Sequence, residues 1–310
     1  MEVRDVFKLR KEGKIEEAYA AIRPMYAVHK GHYTTVCMFW VAMDMMQLRY
    51  KQRRLEEAYK IFLALLRLYP TMEDTDLRGQ SALMRAALLV FDHNPKFSML
   101  DFITKWGIEK LTGDDWTFGK AGGHVVPSLG MRIVGKVFKE VTGNPTTDMA
   151  LKAAPILAES LKHSPYNMNN QRYKAIIYKI MGKTDKAINI YRHLIAHHHQ
   201  SYLYQELAAL VSDDRWKVAL LCRAIATQRE QKFTQKMRLE LADLLFNSDK
   251  PRARYELDRC IAIRKAAGFN TTWHMQNLSA SLEGIEPVSE KDEREFYRRQ
   301  GEIVDQLRIF

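Results

Sequence analysis

Three alanines, Ala187, Ala219 and Ala253, stand 32 and 34 residues apart, each just after a polar break: Gly182-Lys183, Asp213-Asp214 and Ser248-Asp249. Before every break runs a segment with apolar residues at helical spacing, so each unit reads as a helix, a tight turn and a second helix. Where two helices cross closely a side chain larger than a methyl pushes the axes apart and opens voids, so a small residue recurring in constant register marks a repeated helix crossing. A chain with this register is constrained to stack helix pairs.

The same device stands at the other end. Gly13-Lys14-Ile15-Glu16-Glu17-Ala18-Tyr19 and Arg53-Arg54-Leu55-Glu56-Glu57-Ala58-Tyr59 repeat the turn and its alanine, with Ile22 and Met25, then Phe62 and Leu65, on the same face. Pro70 falls twelve residues after Ala58, where a helix must stop because proline cannot continue it. These two alanines are 40 residues apart, and the extra residues lengthen the segment TTVCMFWVAMDMMQLRYK. Apolar residues run almost all round it, so it reads as a helix buried on most sides; the alternative is an adaptable peptide groove of Met38, Met43, Met45, Met46 and Trp40.

On Ala175, Tyr178, Gly182, Ala187 and Tyr191 the pattern resembles the tetratricopeptide repeat, with a small residue and an aromatic in helix A, glycine at the turn and alanine five residues on. The neighbouring units depart from it: Asp214 and Ser248 replace the turn glycine, and Leu207 and Leu241 the small residue. The resemblance implies an all-α, right-handed helix-pair solenoid with an irregular middle segment. The expected divisions are repeats over 1–70, a diverged helical segment over 71–170, repeats over 171–267 and capping helices over 268–310. More loosely, the whole resembles the repeat-bearing N-terminal portion of bacterial conflict-system proteins that continue into a cold-shock or S1-like nucleic-acid-binding domain. The abrupt stop at Phe310, without a polar tail, fits a longer protein cut at a domain boundary.

Composition bounds the rest. At 310 residues and 46% hydrophobic the chain suffices for one extended array or two compact domains. No apolar run approaches the roughly 20 residues of a membrane span, and MEVRDVFKLRKEGK lacks a signal peptide's apolar segment. Cys37, Cys222 and Cys260 form no CxxC pair and read as buried thiols of a cytoplasmic protein. The net charge of +11 admits an anionic partner, although its Lys and Arg are interspersed with acids, as on any solvated helical face.

In the middle third the register is lost while helical pattern persists. Helices are expected over 76–91, capped by Thr75 or Asp76, and over 97–111, 128–141 and 147–162, with Pro155 kinking or splitting the last. These are diverged repeats or an insert that bends the array. Residues 112–130, TGDDWTFGKAGGHVVPSLG, carry five glycines and one proline, which excludes a long helix. The stretch is not a phosphate-binding loop: five residues rather than four separate Gly113 from Gly119, and Ala121 stands where Ser or Thr must hold magnesium. It is either a partner-contacting loop with Trp116 and Phe118 as anchors, Lys120 and His124 beside them, or a plug packing those aromatics into the array. Ser128 reads as the cap of the next helix.

Catalytic and metal signals are weak. His193 and His197 share one helix face, but no HExxH occurs and a third ligand such as Glu206 would have to be recruited; a solvated helix end accounts for them better. The pairs Glu56-Glu57, Asp114-Asp115 and Asp213-Asp214 sit at turns or first helical turns, where acids favour the helix dipole. No catalytic residue, cofactor or metal is expected. The tetratricopeptide resemblance instead implies a groove lined by helix A residues: Trp40, Met43, Gln47 and Tyr50 at one end, Asn169, Arg172, Lys179, Tyr204 and Arg238 at the other. Arg172, Lys179 and Arg238 would make it cationic, suited to a protein or acidic peptide; the rival reading is a nucleic-acid regulator using the same basic groove. Repeats that clamp a terminal carboxylate follow the basic residue four positions later with Asn, whereas Arg172 is followed by Ile176. Beyond the last anchor, short helices are expected over 273–282 and 290–310, the latter carrying Phe296, Ile303, Leu307 and Phe310.

Overall fold

A computed structural model describes residues 1–72 and 78–306. It holds sixteen α-helices among those residues and one two-stranded hairpin, in two compact units, Met1–Pro165 and Tyr166–Phe310. The protein is thus all-α and built from helix pairs.

The first unit opens with two pairs, α1 (Val3–Lys11) with α2 (Ile15–Val28) and α3 (His32–Lys51) with α4 (Leu55–Leu68). Ala18 and Ala58 are fully buried, and the 20-residue α3 takes up the extra length between them. Met43, Met45 and Met46 are buried with Cys37, Phe39 and Val41, so α3 is core on most of its circumference. Each pair is closed by the same turn. The backbone N–H groups of Gly13 and Lys14 donate to the Arg10 and Leu9 carbonyls, and those of Arg53 and Arg54 donate to Tyr50 and Arg49. This double bond satisfies helix-end carbonyls but needs a left-handed residue, and φ is +77° at Gly13 and +61° at Arg53.

Four further helices complete this unit: α5 (Arg78–His93), α6 (Met99–Trp106), α7 (Leu129–Gly143) and α8 (Thr147–His163). The caps proposed at Thr75 and Asp76 lie outside the described residues. The helix expected over 97–111 stops at Gly107, whose φ of +82° breaks α6. Pro155 does not split α8. The carbonyl it leaves unbonded belongs to Leu151, which is exposed, so water can satisfy it. Phe62, Phe97, Phe102 and Trp106 pack ring against ring between α4 and α6.

The second unit contains three pairs, α9 (Met168–Ile180) with α10 (Thr184–His197), α11 (Ser201–Ala208) with α12 (Asp214–Thr227) and α13 (Gln235–Leu245) with α14 (Lys250–Ala266). Then come α15 (Trp273–Ser281) and α16 (Glu290–Gln306). Ala187, Ala219 and Ala253 are all at zero exposure in one continuous core with Tyr191, Leu194, Leu220, Leu241 and Leu257. Where the turn glycine is missing, an acid does the work: Asp213 and Asp249 accept backbone N–H bonds from Arg215 and Arg252 and start the second helix of their pair. Phe296 and Ile303 of α16 lie against this core, and its Val304 is buried; Leu307 and Phe310 lie outside the described residues.

Candidate functional site

The end of α3 and the middle of α5 enclose a cleft of about 450 Å³ within the first unit. Met46, Tyr50, Ala86 and Leu89 form its apolar surface, and Gln47, Lys51, Arg53, Arg85 and His93 supply the polar groups. No carboxylate is among these described lining residues, so the cleft is apolar at its floor and cationic around it. Tyr50 is almost fully buried, its ring 5.3 Å from that of His93, and burial together with nearby Tyr59 pushes its hydroxyl up to about 12.

Two of the cations are placed by unusual means. Arg53 occupies the turn position that glycine holds at Gly13 and Gly182, and among the described residues it alone is a non-glycine with positive φ. A left-handed L-residue costs roughly 1–2 kcal/mol, and its exposed side chain makes no hydrogen bond or ion pair among the described residues that would offset this. Arg85 is steered by Asp115, 3.3 Å from its Nη2. That carboxylate is buried and accepts from Ser81 Oγ at 2.5 Å, Thr112 N at 3.2 Å and Thr112 Oγ1 at 3.0 Å. A buried carboxylate held by donors from two side chains and a backbone N–H is fixed in place, and so fixes where the Arg85 guanidinium is drawn.

The glycine-rich stretch therefore divides. Trp116, beside Asp115, is buried, stacks on His163 with centroids 4.5 Å apart and 6° between planes, and lies so close over Gly130 that any side chain there would overlap its ring. Phe118 is 41% exposed, next to a hairpin of β1 (Gly119–Ala121) and β2 (His124–Val126) that also exposes Lys120, His124 and Val125. Trp116 is a plug, and Phe118 is not. No strand pattern marks this stretch in the sequence; paired glycines, Gly122 and Gly123, both at positive φ, close the hairpin. Ser128 caps α7 by accepting from Met131 N.

The remaining candidates are scattered by burial. Met43 and Tyr204 are core side chains rather than groove surface, because α3 and α11 are covered on that side. Trp40 is half-buried, with the Arg10 guanidinium 5.6 Å from its ring centre, and Gln47 is exposed in the cleft. In the second unit Asn169 is half-buried and Lys179 exposed. Arg172 and Arg238 are not open cations. Arg172 Nε and Nη2 bond Glu206 at 2.8 and 2.5 Å, and its guanidinium lies 4.8 Å from the Tyr202 ring centre. Arg238 is buried and donates to Glu256 at 2.7 Å, Tyr297 Oη at 3.0 Å, Thr234 Oγ1 at 3.1 Å and Gln231 Oε1 at 3.1 Å. A buried guanidinium has five N–H groups to satisfy, so the fold surrounds it with acceptors and the cationic groove loses two of its three charges. Glu206, a possible third ligand for His193 and His197 in the sequence reading, is taken by Arg172.

The sequence held a signal for both findings. Arg172 and Glu206 stand 34 residues apart on the A helices of successive repeats, two positions off the 32-residue register that would pair Arg172 with Tyr204, so opposite charges fall within about one repeat of each other. Arg53 stands five residues before Ala58, where the better-matched turns have glycine.

Residues 171–302 match the model of a domain of unknown function, DUF7017. The match covers under half of the chain and falls wholly inside the second unit, from α9 into α16. No curated protein matches. Among solved structures, a tetratricopeptide repeat protein from Parabacteroides merdae is similar at 14% identity over 90% of this chain and 96% of that one, with a TM-score of 0.35. No described helix is long and apolar enough to cross a membrane.

Proposed function

We propose that the protein is a non-catalytic interaction scaffold whose α3–α5 cleft takes an acidic segment of a protein partner. The observation that carries this is the cleft itself: an apolar floor of Met46, Tyr50 and Leu89 beside Lys51, Arg53, Arg85 and His93, with no lining carboxylate. An acidic peptide with one apolar side chain matches both features, since the charges give orientation and the buried apolar group gives affinity. The strain at Arg53 supports the reading, because a residue kept in an unfavourable conformation without internal bonds is more readily understood through what its side chain meets outside.

The test is affinity capture with the full chain and with a Lys51→Glu/Arg53→Glu double variant, each with and without nuclease. A protein partner lost by the double variant and insensitive to nuclease is the expected result. Capture abolished by nuclease, with affinity falling by orders of magnitude between about 50 and 200 mM salt, would replace this reading with nucleic-acid binding. Capture unchanged by the double variant would remove the cleft from the function.

A further inference from the structure

The second unit contains a pocket of about 460 Å³ between α12, α14 and α16, separate from the cleft above. Five guanidinium groups line it, from Arg223, Arg238, Arg259, Arg294 and Arg298, against two carboxyls, Glu290 and Glu293.

Arg238 is consumed by Glu256, Tyr297, Thr234 and Gln231. Arg298 is engaged by Glu295 and Glu302, and Arg294 by Glu290 through one nitrogen at 2.6 Å. Arg223 gives Nη2 to the Gly301 carbonyl at 2.9 Å and to Asp305 at 2.6 Å, but its buried Nε has no hydrogen-bond acceptor. Arg259 has no hydrogen-bond or ion-pair partner among the described residues. On the acidic side, Glu293 is fully buried beside Glu256, and that burial and neighbouring charge favour its neutral form. Glu290, the exposed carboxylate lining the pocket, already holds Arg294, and Glu293 is buried against Arg252. What remains is a surplus of donors, the Arg259 guanidinium and the remaining nitrogens of Arg294, with the Arg223 and Tyr255 side chains forming part of the wall.

A cation would be repelled by these groups. A carboxylate can also accept from several donors, but a phosphate ester brings three terminal oxygens and up to two negative charges, the closer match to guanidinium groups arriving from three helices. The volume falls within the range of small-molecule sites, and Tyr255 offers an aromatic surface for the remainder of such a ligand. We propose that this pocket binds a phosphate-bearing small molecule of about mononucleotide size, with Arg259 as its principal ligand and Arg294 completing the phosphate cradle. The lining residues, 223 to 298, all lie inside the stretch matched by the family model, so the site belongs to that module.

The test is calorimetric titration of the full chain with pyrophosphate and with a nucleoside monophosphate, using sulfate as the general-anion control. Saturable binding at sub-millimolar concentration is expected for one or both phosphates and not for sulfate; pyrophosphate binding alone would show that phosphate is read without the ring. Arg259→Gln should weaken binding at least tenfold while leaving the melting midpoint of the free protein unchanged, since the side chain is exposed and unbonded. Lys179→Gln, an exposed cation of the same unit outside the pocket, should change nothing. Absence of saturation, equal binding of sulfate, or an Arg259→Gln variant that binds like the parent would overturn the proposal. So would a single-stranded oligonucleotide binding far more tightly than the mononucleotide with a steep salt dependence, because the phosphates read would then belong to a polymer.

Discussion

Replacing Arg53 with glycine should make the protein more stable and worse at binding. Arg53 closes the turn after α3 at a φ of +61°, a conformation costing an L-residue about 1–2 kcal/mol, and its side chain returns nothing through internal hydrogen bonds or ion pairs among the described residues. Glycine removes that strain but has more freedom to lose from the unfolded chain, an offset of about 0.5–1 kcal/mol. The net gain lies between about 0 and 1.5 kcal/mol, centred near about 0.75 kcal/mol, equivalent to about 2–3 °C in the melting midpoint for a unit the size of Met1–Pro165. The reciprocal change, Gly182→Ala, tests the same turn from the other side. A Cβ built on Gly182 meets nothing within 4 Å, so its cost is backbone conformation alone, about 1 kcal/mol. Urea unfolding of both variants, followed by circular dichroism, gives the two differences, and titration of Arg53→Gly with an acidic partner segment gives the loss of affinity. A lower urea midpoint for Arg53→Gly would refute the reasoning, since it would mean that Arg53 makes stabilising interactions in the folded chain that outweigh its strain.

Three other outcomes follow from the packing and the buried charges. Ala187→Leu should overpack the crossing of α9 and α10 and destabilise by about 1–3 kcal/mol; an unchanged melting midpoint would show that Ala187 is not the contact residue. Gly130→Ala should push Trp116 off the start of α7 at a cost of about 1–3 kcal/mol, read as a red shift and loss of near-ultraviolet signal from that indole; an unaltered tryptophan spectrum would count against the packing described. The third outcome is a dependence on pH. Glu293, buried beside Glu256 and Asp249 with Arg252 Nε 3.1 Å away, has its carboxyl pushed up to about 8, first by burial and then by the charge of Glu256. The folded chain therefore keeps a proton that the unfolded chain releases at about 4.5. The stability this contributes is complete below about 4.5 and is lost as pH rises through about 8, at up to about 1.4 kcal/mol per pH unit within that window. Urea midpoints should fall from pH about 5.5 to about 8.5 in the parent and stay nearly level in Glu293→Gln; a parent midpoint that rises over that range would contradict the assignment.

The repeated crossing is legible in the amino-acid order alone. Ala18, Ala58, Ala187, Ala219 and Ala253 are all fully buried, because a helix crossing selects for the absence of a side chain, and an absence repeated at fixed spacing is visible without coordinates. Capping is similarly local, and Ser128 could be read as a cap from its neighbours alone. Sequence also supplied Gln47 and Tyr50, both of which line the α3–α5 cleft. It could not supply Arg85 or His93, which reach the same cleft from a helix some forty residues on that shares no register with α3. Nor could it tell which cations are free. Arg172, Lys179 and Arg238 look alike in a sequence, yet Glu206 neutralises the first, Glu256 and Tyr297 enclose the third, and only Lys179 keeps its charge in the open. Whether an arginine is a ligand or a strut depends on the acceptors that other helices bring within about 3 Å, and that is decided by tertiary packing rather than by spacing along the chain.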